Sequence, residues 1–75
     1  MKVLFLAPYL WLKELVLSIL DEYKDIQIDV YQGNYEKGPK LLKELNADEK
    51  YDAIITRGGT VETCKKVTKK LIMEV

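Results

Sequence analysis

The chain has 75 residues, 48% of them hydrophobic and 32% charged, with twelve basic side chains balanced by twelve acidic ones. A single domain this small buries only roughly 60–65% of the surface of its unfolded chain, and a neutral balance excludes the basic footprint of a nucleic-acid binder and the polybasic signal of a membrane-surface protein. With one cysteine, Cys64, and no histidine, neither an internal disulfide nor a Cys/His metal cluster is available, no stretch is long enough to cross a bilayer, and a cytoplasmic location is expected.

Lys2 to Ala7 is a short continuous apolar run, the pattern of a central parallel strand buried on both faces. Pro8 ends it, and the run leads into an amphipathic segment instead of a signal-peptide cleavage site. Leu12, Leu15, Val16, Ile19, Leu20 and Tyr23 recur at helical spacing, which predicts a helix from about Leu10 to Tyr23 with one wide apolar stripe. Leu10 and Leu17 lie off that stripe, and Trp11 projects to one side. Ile26, Ile28 and Val30 alternate with polar neighbours, as in a half-buried strand at a sheet edge. Gln32-Gly33-Asn34 is a turn.

Leu41, Leu42 and Leu45 predict a second helix with Gly38 before it and Pro39 in its first turn, starting as early as Tyr35. Residues 46–50 form a connection. Asp52 to Thr56 is another buried strand, and Arg57-Gly58-Gly59 is a turn. Thr60 is the expected N-cap of a third helix running to about Lys69, with Val61, Cys64 and Val67 inward. Lys65, Lys66, Lys69 and Lys70 read as the solvated cationic end of that helix, where they complement its dipole. Leu71 to Val75 is a last strand.

The order β-α-β-α-β-α-β predicts an α/β fold, a three-layer sandwich around a four-stranded parallel sheet. With the second strand at an edge and the first and third central, the strand order is 2-1-3-4. Right-handed crossovers then place the first helix on one face and the other two on the opposite face. Ligands of open α/β sheets bind where the winding reverses, at the carboxyl ends of the strands. Here that point lies between Ala7-Pro8-Tyr9-Leu10 and Arg57-Gly58-Gly59-Thr60, with Asn34 on the flank.

The second of these loops suits an anion. Two glycines let backbone N–H groups approach closely, and the following helix offers its free amides and dipole. Arg57 is the only arginine; the other eleven basic residues are lysines. A guanidinium grips a carboxylate or phosphate through two parallel hydrogen bonds. A glycine pair after a strand is also an ordinary tight turn, and the segment lacks the lysine of a Walker loop.

Lys2-Val3-Leu4-Phe5-Leu6-Ala7-Pro8-Tyr9 and Tyr51-Asp52-Ala53-Ile54-Ile55-Thr56-Arg57-Gly58-Gly59-Thr60 resemble the N-terminal receptor domain of PrpR-type transcriptional activators, bacterial regulators of the NtrC class. The resemblance runs the length of the chain. It implies a sensor with two α/β lobes that binds a small metabolite, a methylcitrate-like tricarboxylate in the type case, and thereby relieves repression of an ATPase domain. By position, Arg57, Gly58, Gly59 and Thr60 would contribute to an anion site, with Pro8 and Tyr9 opposite. It also implies that this chain corresponds to about the first half of the receptor, so that a second lobe, or a second copy of this one, would complete the cleft. Leu71 stands where the family tends to have proline.

Other chemistries fit less well. A phosphoacceptor receiver needs an aspartate at the end of the third strand, where Thr56-Arg57 stands. Cys64 lies inside a helix, not in a loop at a helix N-terminus, and reads as a core residue. Nucleophile–base catalysis is not expected, because no histidine is available and no serine sits in a crevice loop. Asp29 and Asp52 read as exposed edge and strand-start residues. No catalytic residue, metal or cofactor is therefore expected, and the partner is a small anionic metabolite. The alternative is an interaction or dimerisation module using Leu10, Trp11 and Leu17 as an exposed apolar patch.

Overall fold

Val3 to Ala7 are buried without interruption, and the rest of the molecule is arranged around them. The computed structural model describes residues 1–20, 25–34 and 36–75. Its elements in chain order are β1 (Lys2–Ala7), α1 (Leu10–Ile19), β2 (Gln27–Gln32), α2 (Lys37–Glu44), α3 (Ala47–Lys50), β3 (Ala53–Thr56), α4 (Gly59–Lys65) and β4 (Leu71–Glu74). The sheet has the order β2-β1-β3-β4, and each of its three strand pairs is parallel.

Alternation along β1 and β3 divides the core in two. Leu4, Leu6 and Ile54 join Leu42, Ala47, Tyr51 and Cys64 under α2, α3 and α4. Phe5 and Ala7 join Leu12 and Val16 under α1, with Ile28, Val30 and Ile55 half-buried beside them. The first helix thus covers the opposite face from the later ones, as right-handed crossovers require. At the amino ends of the strands, Tyr51 Oη donates to Asp29 Oδ2 at 2.6 Å, and the Lys2 ammonium sits 5.3 Å from the Tyr51 ring centroid. Asp29 is therefore a half-buried acceptor, not the exposed edge residue its position suggests. Asp52 is exposed at the strand start and accepts from the Lys2 N–H at 2.8 Å.

Four local expectations are corrected. First, the segment after α2 is not a plain connection. Asn46 adopts the left-handed conformation (φ 54°), which stops α2 and starts the one-turn helix α3. Asparagine is among the few non-glycine residues that tolerate this region. Second, the wide stripe of α1 is only partly used. Leu12 and Val16 are buried, whereas Leu15 and Ile19 are 53% and 42% exposed. The helix rests mainly on β1 and β2, and of its stripe Leu12 and Val16 reach the core beside Ile55. Tyr23 and Tyr35 lie outside the described residues.

Third, Gly58, not Thr60, occupies the N-cap of α4. Fourth, α4 ends at Lys65 instead of near Lys69. Lys69 and Lys70 therefore precede β4 in a loop held by Asp48, whose carboxylate accepts from the Thr68 hydroxyl and from the Lys69 N–H.

Candidate functional site

The adjacent central strands β1 and β3 end side by side, at the point where the winding of the sheet reverses. Their paired register stops at Phe5 and Ile55. One residue further on, the fully buried Thr56 hydroxyl donates to the Leu6 carbonyl at 2.9 Å. A side chain here does what a ladder bond does lower in the sheet, and the two chains then diverge. On the β1 side the chain turns through the half-buried Pro8 to the exposed Tyr9, the N-cap of α1. Tyr9 is extended (φ −124°, ψ 144°), and its ring stacks on Trp11 with centroids 5.8 Å apart and planes 4° from parallel. That stack sets two half-exposed aromatic rings at the start of α1, a feature that sequence spacing alone did not reveal.

On the β3 side, Arg57, Gly58 and Gly59 are all exposed. Gly58 has φ 64° and ψ −142°, a conformation that side chains other than hydrogen rarely adopt. It allows the chain to leave β3 and enter α4 within two residues. The Val61 N–H is bonded to the Gly58 carbonyl at 3.0 Å. The amides of Gly59 and Thr60 sit in the opening turn, where no helical carbonyl lies four residues behind them. Arg57 has no carboxylate partner among the described residues, whose one salt bridge is Glu62–Lys65 on the outer face of α4.

The remaining predicted site residues are placed differently. The Thr60 side chain is buried, and its methyl faces Gly38, where an added Cβ would lie 2.8 Å from Thr60 Cγ2. Only the backbone of Thr60 is available to the crevice. Asn34 is exposed, but its Oδ1 accepts from the N–H groups of Glu36 and Lys37 at 3.1 and 3.0 Å, organising the start of α2. The turn therefore holds Arg57, Gly58, Gly59 and the Thr60 backbone at the end of β3, and Pro8 and Tyr9 follow the neighbouring strand β1. Cys64 is fully buried, and burial pushes its thiol up to about 11, so it is a packing group at neutral pH. The described residues contain no cluster of three or more potential metal ligands. None of their helices is long and apolar enough to cross a membrane.

An open parallel sheet with helices on both faces, and with the loops after β1 and β3 adjacent where its winding reverses, defines a doubly wound α/β lobe. The sequence pattern of the propionate catabolism activator family matches residues 22–75, and the chain belongs to that family. Membership places it in transcription regulation and signal sensing, in a regulatory and not a catalytic family. The match includes Asn34 and the Arg57–Thr60 turn; Pro8 and Tyr9 precede it. No curated protein and no solved structure matches at a significant level.

Proposed function

We propose that this lobe senses a small carboxylate or phosphate metabolite, held at the Arg57-Gly58-Gly59-Thr60 turn with Pro8 and Tyr9 across the crevice. The observation that carries the reading is the position of Arg57. The chain's only guanidinium is exposed at the carboxyl end of a central strand, beside a positive-φ glycine and the first free amides of α4. In this arrangement Arg57 supplies the bidentate grip, and the Gly59 and Thr60 amides supply neutral donors to a second oxygen. The stacked Tyr9 and Trp11 rings form an apolar wall on one side. A lobe of this kind forms half of a cleft, and the second half comes from another lobe or another copy.

Calorimetric titration with citrate, methylcitrate and phosphate tests the reading. Saturable binding that weakens by at least about tenfold in Arg57→Lys, with an unchanged melting curve, is the expected result, because an ammonium cannot reproduce the planar fork. Equal affinity in the two proteins would remove Arg57 from the site. A second reading is favoured by α1, where Leu10, Trp11 and Leu17 are 54%, 56% and 48% exposed. Under that reading the helix docks another protein and no small anion binds.

A further inference from the structure

Among the described residues the sheet ends at β4, and the outer edge of that strand carries a self-complementary pattern. The Val75 N–H donates to the Thr56 carbonyl at 3.0 Å, and Thr56 is in register with Glu74. Because successive residues of a strand direct their backbone groups to opposite sides, Leu71, Met73 and Val75 bond toward β3. The N–H and C=O groups of Ile72 and Glu74 therefore point outward, away from the sheet. The Lys70 amide, just before the strand, is already bonded to Thr68 Oγ1 at 3.1 Å. The side chains alternate in the perpendicular direction. Ile72 is half-buried against the core beneath α2 and α4, while Leu71 and Met73 are 65% and 40% exposed on the face that α1 leaves open.

We propose that two copies of this chain associate through β4, antiparallel about a two-fold axis at Ile72, joining two four-stranded sheets into one. Charge complementarity identifies the occupant of this edge as a second copy. With Ile72 opposite Ile72, antiparallel pairing sets Lys70 opposite Glu74 of the second copy and Leu71 opposite its Met73. The same register makes the outward backbone groups meet. The two Ile72 residues exchange both hydrogen bonds, and each Glu74 N–H reaches a Lys70 carbonyl. On one face, two ion pairs flank the Ile72 pair; on the other, Leu71 and Met73 pack together at cross-strand distance. An isologous contact of this kind closes on itself, so it gives a dimer and not a fibre. The opposite edge, β2, offers no comparable match. Gln27 and Gly33 donate to Met1 and Ala7, so the residues facing outward there are Ile28, Val30 and Gln32, which are uncharged.

Sedimentation equilibrium of the 75-residue chain, Lys70→Glu, Glu74→Lys and the double variant K70E/E74K tests the proposal, with thermal melts to verify folding. By symmetry each single reversal turns two attractive pairs into two repulsive ones. The parent is expected to dimerise, each single variant to dissociate at least about tenfold more readily, and the double variant to recover the dimer with its charges exchanged. A parent that stays monomeric, single variants that dimerise as the parent does, or a double variant as weak as the singles would overturn it. Should the partly buried position 70 not tolerate glutamate, Met73→Lys sets a charge against Leu71 and is expected to weaken association similarly; an unchanged dimer would count against the proposal. Arg57 lies outside this edge, so anion binding and association are read independently.

Discussion

Gly58 is the position where the turn depends on one residue type. Its φ of 64° and ψ of −142° belong to a region that is nearly glycine-only, yet a Cβ added there would meet nothing within 4 Å. The cost of a side chain is therefore backbone strain alone, free of any packing change. Gly58→Val is expected to destabilise the lobe by about 1–3 kcal/mol in urea unfolding; a variant as stable as the parent would show that the turn relaxes without loss. At this scale the sequence was partly legible. Arg57-Gly58-Gly59 announced a turn, and a lone arginine announced a special position. Which glycine carries the strain, and whether Thr60 caps, depend on where the helix begins. Glycine and threonine are both acceptable N-caps, and the choice is settled by burial. Gly38 of α2 leaves room for the Thr60 methyl, drawing threonine inside the helix and giving the cap to Gly58.

At the scale of elements, β1 and β3 could be read directly because burial on both faces needs an uninterrupted apolar run, and β2 because an edge strand alternates. The extents of the helices were less legible, since they depend on what lies beneath. Leu15 and Ile19 match the α1 period but stay 53% and 42% exposed. The brevity of α3 leaves it no period to detect; its signal is the single residue Asn46. The same segment contains a device that sequence gave no reason to expect. Asp48 at the start of α3 holds the loop between α4 and β4 through the Thr68 hydroxyl and the Lys69 N–H. Those bonds hold its carboxyl below the ordinary value of 3.8. A folded pKa below the unfolded one gives stability that is complete above the unfolded value and is lost as pH falls through the folded one. Asp48→Ala is therefore expected to melt lower than the parent near pH 7, with the gap narrowing as pH falls below 3.8 and the parent's carboxylate becomes protonated. A gap independent of pH would mean that the clamp acts through packing and not through charge-assisted bonds.

At the scale of the whole molecule, the radius of gyration is 11.3 Å, matching the roughly 11 Å expected of a compact chain of this length. Compactness is reached with two unequal half-cores. The face under α2, α3 and α4 is covered over β1, β3 and β4, whereas the face under α1 is covered over β1 and β2 and open at β4, where Leu71, Met73 and Val75 are exposed. Protection against solvent should grade accordingly, from β1, paired on both sides and buried on both faces, outward to β4. Within β4 it should also alternate. The amides of Met73 and Val75 face β3, while those of Ile72 and Glu74 face the free edge. In the dissociated chain, hydrogen exchange followed by NMR is expected to find Val75 and Met73 slower than Ile72 and Glu74, although Val75 lies nearest the terminus. Association through β4 should then slow Ile72 and Glu74 selectively, because theirs are the donors that gain acceptors. If exchange instead quickens smoothly toward the terminus and association slows every β4 amide alike, the alternation is wrong, and with it the register that matches Lys70 to Glu74.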